Sequence, residues 1–419
     1  MSVLHVDKKR AYSSPFFNRL IKVILYLDKE EKMKKLLAIL LCVAMIFCFA
    51  ACGGGESAPA DGGDGGGDAA SDLPEVTWKM GSTWGSGNIH FLADKRFAEL
   101  VSQFTNGKFT IQNYAEGELC AAAQLIDYVQ DGTIEAGGDW GGYWAGKDTT
   151  FEILSTLIDD FDSTDYFNWF YEGGGLDCYN YVYNQYNIQY FPIALTGTES
   201  GIRSNKPIES LDDMKGMKIR LGGVLAGKVG QELGINITTV AAAELYESLQ
   251  RGVIDAGEFS GPWADDSLKL QEVCPYWCAP AWYQSAGVNG VMINMDAWNA
   301  LPAEYQEAIA LAAELTVAES FHKYHWNNAA TTNLMLQEQG IKITKMNDKD
   351  KQIIRDTALK IYAAEAESNE NFAYVWGSME AYRETMNVYR DWLGDYSFGY
   401  NRADADLSGA NGSTERHDY

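Results

Sequence analysis

Residues 121–137 read Ala-Ala-Ala-Gln-Leu-Ile-Asp-Tyr-Val-Gln-Asp-Gly-Thr-Ile-Glu-Ala-Gly, and residues 241–257 read Ala-Ala-Ala-Glu-Leu-Tyr-Glu-Ser-Leu-Gln-Arg-Gly-Val-Ile-Asp-Ala-Gly. Nine of the 17 aligned positions are identical, and the copies lie 120 residues apart. In each copy the apolar residues have helical spacing, a Gly is placed to end the helix, and the next apolar run is typical of a buried strand. The repeated unit is therefore helix, Gly turn, strand.

This repeat predicts two similar α/β lobes, because its period is far too long for a solenoid. Two unrelated Ala-rich helices are the alternative, but the matching Gly, Ile, Ala and Gly beyond the helix favour a true repeat. Each strand then leads into an acid and an aromatic residue, Asp139-Trp140 in one copy and Glu258-Phe259 in the other. Ligands of open α/β sheets bind beyond the carboxyl ends of strands, so we expect these pairs to face a cleft between the lobes.

The remaining pattern also alternates between strands and helices. Many Tyr residues between Tyr179 and Tyr190 alternate with polar residues, which favours a strand or an extended edge there. From Pro302 to about Arg390, Ala, Glu and Gln predict long helices, with an interruption near residues 340–350. Other predicted elements are strands at 76–80, 109–113 and 218–221, a helix at 88–103, and an extended crossing between lobes at 283–294. The predicted lobes comprise residues 75–197 with about 288–325, and 198–287 with about 326–390, followed by a tail at 391–419.

The composition is that of a globular protein with an acidic surface. The 419 residues include 33 Lys or Arg and 58 Asp or Glu, giving a net charge of −25, and 46% are hydrophobic. This apolar fraction supports a large core and excludes a mostly disordered chain. The charge argues against nucleic acid as a partner, because phosphate binding needs clustered Lys and Arg, and no such cluster follows residue 52.

The first 52 residues have the form of an export leader. Met33-Lys34-Lys35 precedes the apolar run 36–51, and Cys52 follows two Ala residues. This resembles bacterial lipoprotein signals, in which the Cys after the cleavage point is lipidated, although Phe49 stands where those signals usually have Leu. An uncleaved anchor is the alternative, but sixteen apolar residues are few for a span of about 20. Residues 1–32 fit neither interpretation, which suggests that the natural start is Met33.

A flexible tether and four further cysteines follow the leader. Residues 53–74 are mostly Gly-rich and acidic and cannot form a core, so they predict a tether that holds the folded body at the outer face of a membrane. The body contains Cys120, Cys178, Cys274 and Cys278. An exported setting permits disulfides between them, and burial as free thiols is an equal alternative.

Motifs spread over about residues 76–390 carry a family resemblance, and they are Lys206–Arg220, Glu244–Ala256, Ala115–Leu119 and Trp298–Pro302. They resemble the DctP-type extracytoplasmic solute-binding proteins of TRAP transporters. Residues 142–148 and 261–266 resemble the subgroup that binds 2-oxo or 2-hydroxy monocarboxylates, some with a metal cation. The resemblance implies a two-lobed fold of the type II periplasmic-binding-protein kind with long C-terminal helices, and a membrane permease as partner. It leaves open whether those helices also form a homodimer, as in some relatives.

The resemblance also implies roles for individual residues. Arg220 falls on the family's carboxylate-binding arginine, and a guanidinium suits that role because it pairs with a carboxylate through two parallel hydrogen bonds. Glu258 and Phe259 fall on cation-binding positions, the first through its carboxylate and the second through its backbone oxygen. Glu199 falls on a Gln that contacts cation and ligand, and Gln284 falls near the ligand.

Glu199 departs from the subgroup because it adds a negative charge beside a bound anion. This is unfavourable unless a cation, Na⁺ or Ca²⁺, lies between them. A solvated surface carboxylate is the equal alternative for Glu199. Trp84, Trp140 and Tyr143 are expected to line the apolar side of the cleft, or else to belong to the core.

Two functions are compatible with these residues. The first is a lipid-anchored binding protein that closes over a small organic anion and delivers it to a permease. The second is a lyase or hydrolase that uses Glu199 and Glu258 as an acid/base pair. The sequence favours the first, since no nucleophile has motif support.

Overall fold

The computed structural model describes residues 73–238, 240–394, 410 and 412–417. The predicted leader at 1–52, which includes Cys52, and residues 53–72 of the predicted tether lie outside the described residues, as does most of the predicted tail. Within the described ranges, no helix is both long enough and apolar enough to span a bilayer.

Two mixed β-sheets form the centres of two lobes, which confirms the predicted two-lobed α/β fold. The first lobe is built on a sheet with the order β2-β1-β3-β10-β4, and the second on a sheet with the order β11-β9-β5-β8-β6-β7. The strands of the first sheet are β1 (Val76–Ser82), β2 (Phe109–Tyr114), β3 (Ala136–Trp140), β4 (Ile188–Leu195) and β10 (Val288–Asn294). Those of the second are β5 (Ile202–Ser204), β6 (Lys218–Arg220), β7 (Asn236–Thr238), β8 (Ala256–Gly257), β9 (Tyr276–Ala279) and β11 (Lys342–Lys345).

The two sheets repeat the same pairing pattern. In the first, β1 runs parallel to β2 and β3, and β10 runs antiparallel to β3 and β4. In the second, β6 runs parallel to β7 and β8, and β5 runs antiparallel to β8 and β9. The strands β3 and β8 are those of the sequence repeat, and they occupy equivalent places. The internal repeat is thus a true structural repeat.

Thirteen α-helices are described along the chain, and they surround the sheets. They are α1 (Phe91–Phe104), α2 (Leu125–Gln130), α3 (Thr150–Ser155), α4 (Ser163–Tyr171), α5 (Gly175–Tyr183), α6 (Leu211–Met214), α7 (Val224–Glu232), α8 (Leu245–Gln250), α9 (Pro262–Ser267), α10 (Met295–Asn299), α11 (Ala303–Glu338), α12 (Asp348–Ser368) and α13 (Glu370–Leu393). In each copy of the repeat the helix, α2 or α8, ends before a left-handed Gly, at φ +75° for Gly132 and +69° for Gly252. The predicted helix stop is therefore confirmed.

The chain crosses between the sheets three times, and the first two crossings lie side by side. The first, residues 196–201, joins β4 to β5, and the second, residues 280–287, joins β9 to β10. Thr196 N donates to Gly287 O at 2.9 Å, and Glu199 N donates to Gln284 O at 3.4 Å. Gly201 has φ +112°, and a Cβ there would overlap the Cys278 carbonyl, so only glycine fits this position.

Long helices brace both lobes. The helix α11 packs on α1 and β4 of the first lobe and on α9 of the second. The helix α12 packs on α7, and α13 packs on α3 and α5. The described end of the tail lies along α11, where Arg416 also forms an ion pair with Asp266 of α9 at 2.6 Å. The C-terminal part of the chain therefore contacts both lobes.

The tyrosine-rich segment is a correction to the sequence prediction. Tyr179 and Tyr183 lie on helix α5, and both are fully buried. Their rings stack against Tyr190 on β4, with centroids 5.0 and 4.1 Å away. The spacing of four residues between the buried rings is helical, and this outweighs the alternation with polar residues.

All four body cysteines are free thiols.

Candidate functional site

A small cavity lies where the crossings meet the ends of strands from both sheets. Its volume is about 30 Å³, which is room for two or three water molecules. It adjoins a cleft of about 1100 Å³ whose walls come from both lobes. Trp84, Trp140, Tyr143, Arg220 and Gly222 line both spaces.

Arg220 ends strand β6 at the wall of this cavity and is 8% exposed. Its Nη1 donates to Oε1 and to the backbone oxygen of Glu258, each at 2.6 Å. Its Nε donates to Val240 O at 3.2 Å. Among the described residues, no group accepts a hydrogen bond from Nη2, so this part of the guanidinium is available to a ligand.

Glu199 and Glu258 bring two buried carboxyl groups close together. Oε2 of each has no hydrogen-bond partner in the part of the chain that the structure describes. Burial raises the pKa of Glu199 well above its usual value, and the neighbouring charge of Glu258 raises it further. The surface alternative for Glu199 is therefore wrong, because this side chain is buried at the cavity. Glu258 contacts Arg220, and its Oε1 also accepts from Gly222 N.

The other residues predicted from sequence also gather here. Phe259, Gln284, Trp84 and Tyr143 all line the cavity. On the first-lobe side the Trp84 and Tyr143 rings have centroids 5.9 Å apart. Trp140 lies 5.2 Å from Tyr143 by the same measure. These aromatics form a cavity wall, and Trp84 and Trp140 are at the same time buried in a core cluster.

His90 and Asn289 are cavity residues that sequence reasoning missed. His90 is 3% exposed, and its Nδ1 lies 2.7 Å from the Tyr324 hydroxyl. Burial lowers the pKa of His90 to about 3, so its ring is neutral. Asn289 is 3% exposed and lies on β10. Neither belongs to a motif, and the only sequence signal was their position in predicted elements.

Glu152 is a further residue that the sequence did not reveal. It lies on α3, and its carboxyl group accepts hydrogen bonds from the backbone N–H groups of Val224, Leu225 and Ala226 at the start of α7. Because α7 begins four residues after Arg220, this carboxyl group fixes the segment that carries the arginine. Burial raises the pKa of Glu152 to about 7 although these N–H groups oppose the rise.

The donor set for a metal ion is sparse. Among the described residues, no group of three or more His, Cys, Asp and Glu side chains could hold one. Two buried carboxyl groups with unpartnered oxygens do fit a hard cation, provided that backbone oxygens and the ligand complete the shell.

Comparison with known proteins places this chain in a family. Residues 80–369 match the model of the bacterial extracellular solute-binding proteins, family 7, called DctP. The chain is 32% identical over 317 residues to the monocarboxylate 2-oxoacid-binding periplasmic protein of Nostoc sp., covering 75% of this chain and 86% of that relative.

Solved structures agree with this match. A TRAP solute-binding protein of Pseudoalteromonas atlantica with bound sodium and pyruvate is 28% identical, with a TM-score of 0.71 and coverage of 76% of this chain and 97% of that one. One from Colwellia psychrerythraea with bound calcium and pyruvate is also 28% identical, with a TM-score of 0.70 and coverage of 77% and 98%. A third, from Bordetella bronchiseptica, crystallised as a dimer with calcium and picolinate, is 26% identical, with a TM-score of 0.73 and coverage of 78% and 98%. The chain therefore belongs to the DctP family of extracytoplasmic TRAP-transporter solute-binding proteins.

Proposed function

We propose that this protein captures a 2-oxo or 2-hydroxy monocarboxylate in the cavity between its lobes and delivers it to the membrane permease of a TRAP transporter. The observation that carries the proposal is the buried Arg220 guanidinium, whose Nη2 faces no acceptor among the described residues. The ligands of the relatives support the acid class, since one is named for 2-oxoacids and two hold pyruvate.

The enzyme alternative does not apply to this chain. The family and the structural neighbours are transport solute-binding proteins, so the protein is a binding protein and not an enzyme. Glu199 and Glu258 are accordingly assigned to binding and not to acid/base catalysis.

The residues around Arg220 prepare it for an anion. Glu258 and the Val240 carbonyl hold three of its hydrogen-bonding directions, so its orientation is fixed before a ligand arrives. A carboxylate that accepts from the remaining N–H groups gains charge-assisted hydrogen bonds in a buried setting, where they are stronger than in water. The aromatic wall of Trp84, Trp140 and Tyr143 suits the apolar part of a small acid.

A cation is part of the proposal, with Na⁺ and Ca²⁺ as the candidates that the neighbouring structures hold. The carboxyl groups of Glu199 and Glu258, with the Phe259 backbone oxygen, would hold it. When bound, it would supply positive charge that offsets both carboxylates and attracts the oxygens of the acid. In its absence burial and the neighbouring charge of Glu258 raise the pKa of Glu199, which favours the neutral carboxyl group and so limits the negative charge beside the ligand.

The location of the protein follows from its family, and the mode of attachment is proposed. DctP proteins act outside the cytoplasm. Lipidation of Cys52 and a tether at 53–74 would hold the body at the outer face of the membrane, near the permease.

The C-terminal helices α12 and α13 are candidates for a homodimer contact, as the Bordetella bronchiseptica neighbour crystallised as a dimer.

Calorimetric titration with pyruvate and lactate tests the proposal, in buffer free of metal and again with Na⁺ or Ca²⁺. We expect binding that strengthens with one of the cations, and stabilisation against heat by about 2.7 kcal/mol at a ligand concentration of a hundred times Kd. Arg220→Lys keeps the charge and loses the planar fork, so the affinity should fall about 10- to 100-fold.

The matched control is Arg251→Lys, on an exposed arginine that pairs with Glu247 along helix α8. This variant should bind like the parent. Unchanged pyruvate affinity in Arg220→Lys would show that the carboxylate binds elsewhere, and the absence of any binding by the parent would refute the ligand class.

A further inference from the structure

Two hydrogen-bond donors in the cavity wall have no acceptor among the residues that the structure describes. Trp84 Nε1 and Asn289 Nδ2 are buried and unpartnered within the described part of the chain. Both residues line the small cavity that Arg220 lines, and they are 5% and 3% exposed. Native proteins leave few buried donors unpaired, because an unpaired donor loses its hydrogen bond to water without gaining another. Two such donors in one cavity indicate a missing acceptor.

The fold places Asn289 at the cavity by an irregularity in the first sheet. Asn289 pairs with Trp140 on β3 and with Ala194 on β4, and the register with β4 shifts between Asn289 and Gly290. Bulges of this kind redirect side chains and are frequent beside binding sites. A Cβ at Gly290 would overlap the Tyr190 ring, so the irregularity depends on glycine there.

The donors lie on the opposite lobe from the arginine. Trp84 follows β1 and Asn289 lies on β10, both in the first lobe, whereas Arg220 ends β6 of the second sheet. A ligand held between the lobes, in this cavity and the adjoining cleft, that gives its carboxylate to Arg220 therefore presents its next atom, C2, to the first lobe.

We propose that Asn289 and Trp84 donate hydrogen bonds to an oxygen on C2 of the ligand, and that they select acids with an acceptor at that position. This inference rests on the proposed function and adds the specificity-determining residues. A keto oxygen accepts both bonds, and a hydroxyl oxygen accepts them as well. An acid with CH₂ at C2 leaves both donors buried and unpaired, which is the strongest form of discrimination available to a small site.

Calorimetric titration with pyruvate and with propionate, which lacks only the C2 oxygen, tests this assignment. In the parent, pyruvate should bind more tightly. Trp84→Phe and Asn289→Leu each remove a donor, so pyruvate affinity should fall about 2- to 10-fold in each, while propionate affinity should stay within about twofold. Asn289→Asp has nearly the same shape but only acceptors when ionised, and it should weaken pyruvate more than Asn289→Leu does.

Asn294→Ser is the matched control. Asn294 lies on the same strand and is 4% exposed, but its side chain bonds to Val129 O and to the first turn of α10, away from the cavity. Its loss should lower the melting temperature and leave the ratio of pyruvate to propionate affinity unchanged.

The outcomes separate this inference from the proposed function. If the parent binds pyruvate but the affinity ratio is the same in Trp84→Phe and Asn289→Asp, the two donors do not contact C2 and the inference fails alone. If the parent binds neither acid, the proposed function fails and the inference fails with it. Because Asn289→Asp preserves the size of the side chain and Trp84→Phe keeps an aromatic ring in place, they decide the question even where Asn289→Leu does not fold.

Discussion

Replacing Glu152 by Gln should change how stability depends on pH. The Glu152 side chain is 2% exposed and caps the start of α7. Burial raises its pKa from 4.5 to about 7 in the folded protein. Between pH 4.5 and 7 the folded state therefore keeps a proton that the unfolded chain has already lost.

The sign and size of the effect follow from linkage. Between pH 4.5 and 7 the folded state binds more protons than the unfolded state, so the free energy of unfolding falls as the pH rises. At 1.36 kcal/mol for each pKa unit, this group lowers stability by about 3 kcal/mol across that range. Below pH 4.5 both states are protonated and the penalty is absent.

Gln keeps one acceptor oxygen for the α7 N–H groups and cannot ionise. The difference in the free energy of unfolding, Glu152→Gln minus parent, should therefore rise by about 3 kcal/mol between pH 4.5 and pH 8, which means that the variant gains stability over the parent. Urea unfolding of both proteins at a series of pH values measures this difference. Any cost of the substitution that does not depend on pH cancels when the values at pH 4.5 and pH 8 are compared.

Two titratable groups face Glu152, and the control variant must leave both of them in place. Lys228 on α7 favours the ionised carboxyl group, and Tyr362 on α12 also faces it. Glu304→Gln, on an exposed glutamate of α11, removes one charge without touching this region. Parallel pH curves for the parent and Glu152→Gln would refute the argument, since they would mean that the N–H groups of α7 outweigh burial and keep the carboxyl group ionised.

Two further predictions concern the core of the second lobe and the leader. Arg203 and Asp265 form a fully buried ion pair, with Nε of Arg203 3.0 Å from Oδ2 of Asp265. Arg203→Met should lower the free energy of unfolding by about 3–5 kcal/mol, because Asp265 is left unpaired. Urea unfolding at neutral pH measures this, and a loss below about 1 kcal/mol would contradict it. Cys52→Ser should release the protein from the membrane fraction into the soluble extracytoplasmic fraction, as cell fractionation would show, and a variant that stays with the membrane would refute lipid anchoring at this residue.

The repeat made much of the fold predictable from the sequence. Its helix, Gly turn and strand depend on local spacing, and Gly132 and Gly252 adopt a backbone conformation with positive φ that few other residues adopt. The tyrosines of α5 were misassigned because Tyr179 and Tyr183 satisfy both a helical spacing and an alternation with polar residues. The choice between the two is made by stacking on Tyr190, a tertiary contact that the local pattern does not contain.

The site was predictable where its residues follow strands of the repeat, and not elsewhere. Arg220 and Glu258 lie at strand ends, where the topology itself implies a cleft. Glu152 acts on a helix that begins 72 residues later, and its environment exists only when α3 and α7 pack together. Asn289 is directed to the cavity by a register shift that depends on β4. Residues of this kind leave no mark in a single sequence.

The function arises where the two copies of the repeat differ. Pairing of β1 with β3 and of β6 with β8 sets Gly81 and Arg220 at equivalent places, since Gly81 lies opposite Gly137 and Arg220 lies opposite Gly257. The shared residues build the same scaffold twice, and the second copy alone carries the arginine, Arg220, that we propose as the anion-binding group. On this proposal a net charge of −25 does not prevent a carboxylate from binding, because the local field of one oriented guanidinium would set the affinity, whereas the overall charge acts mainly on solubility and association rate.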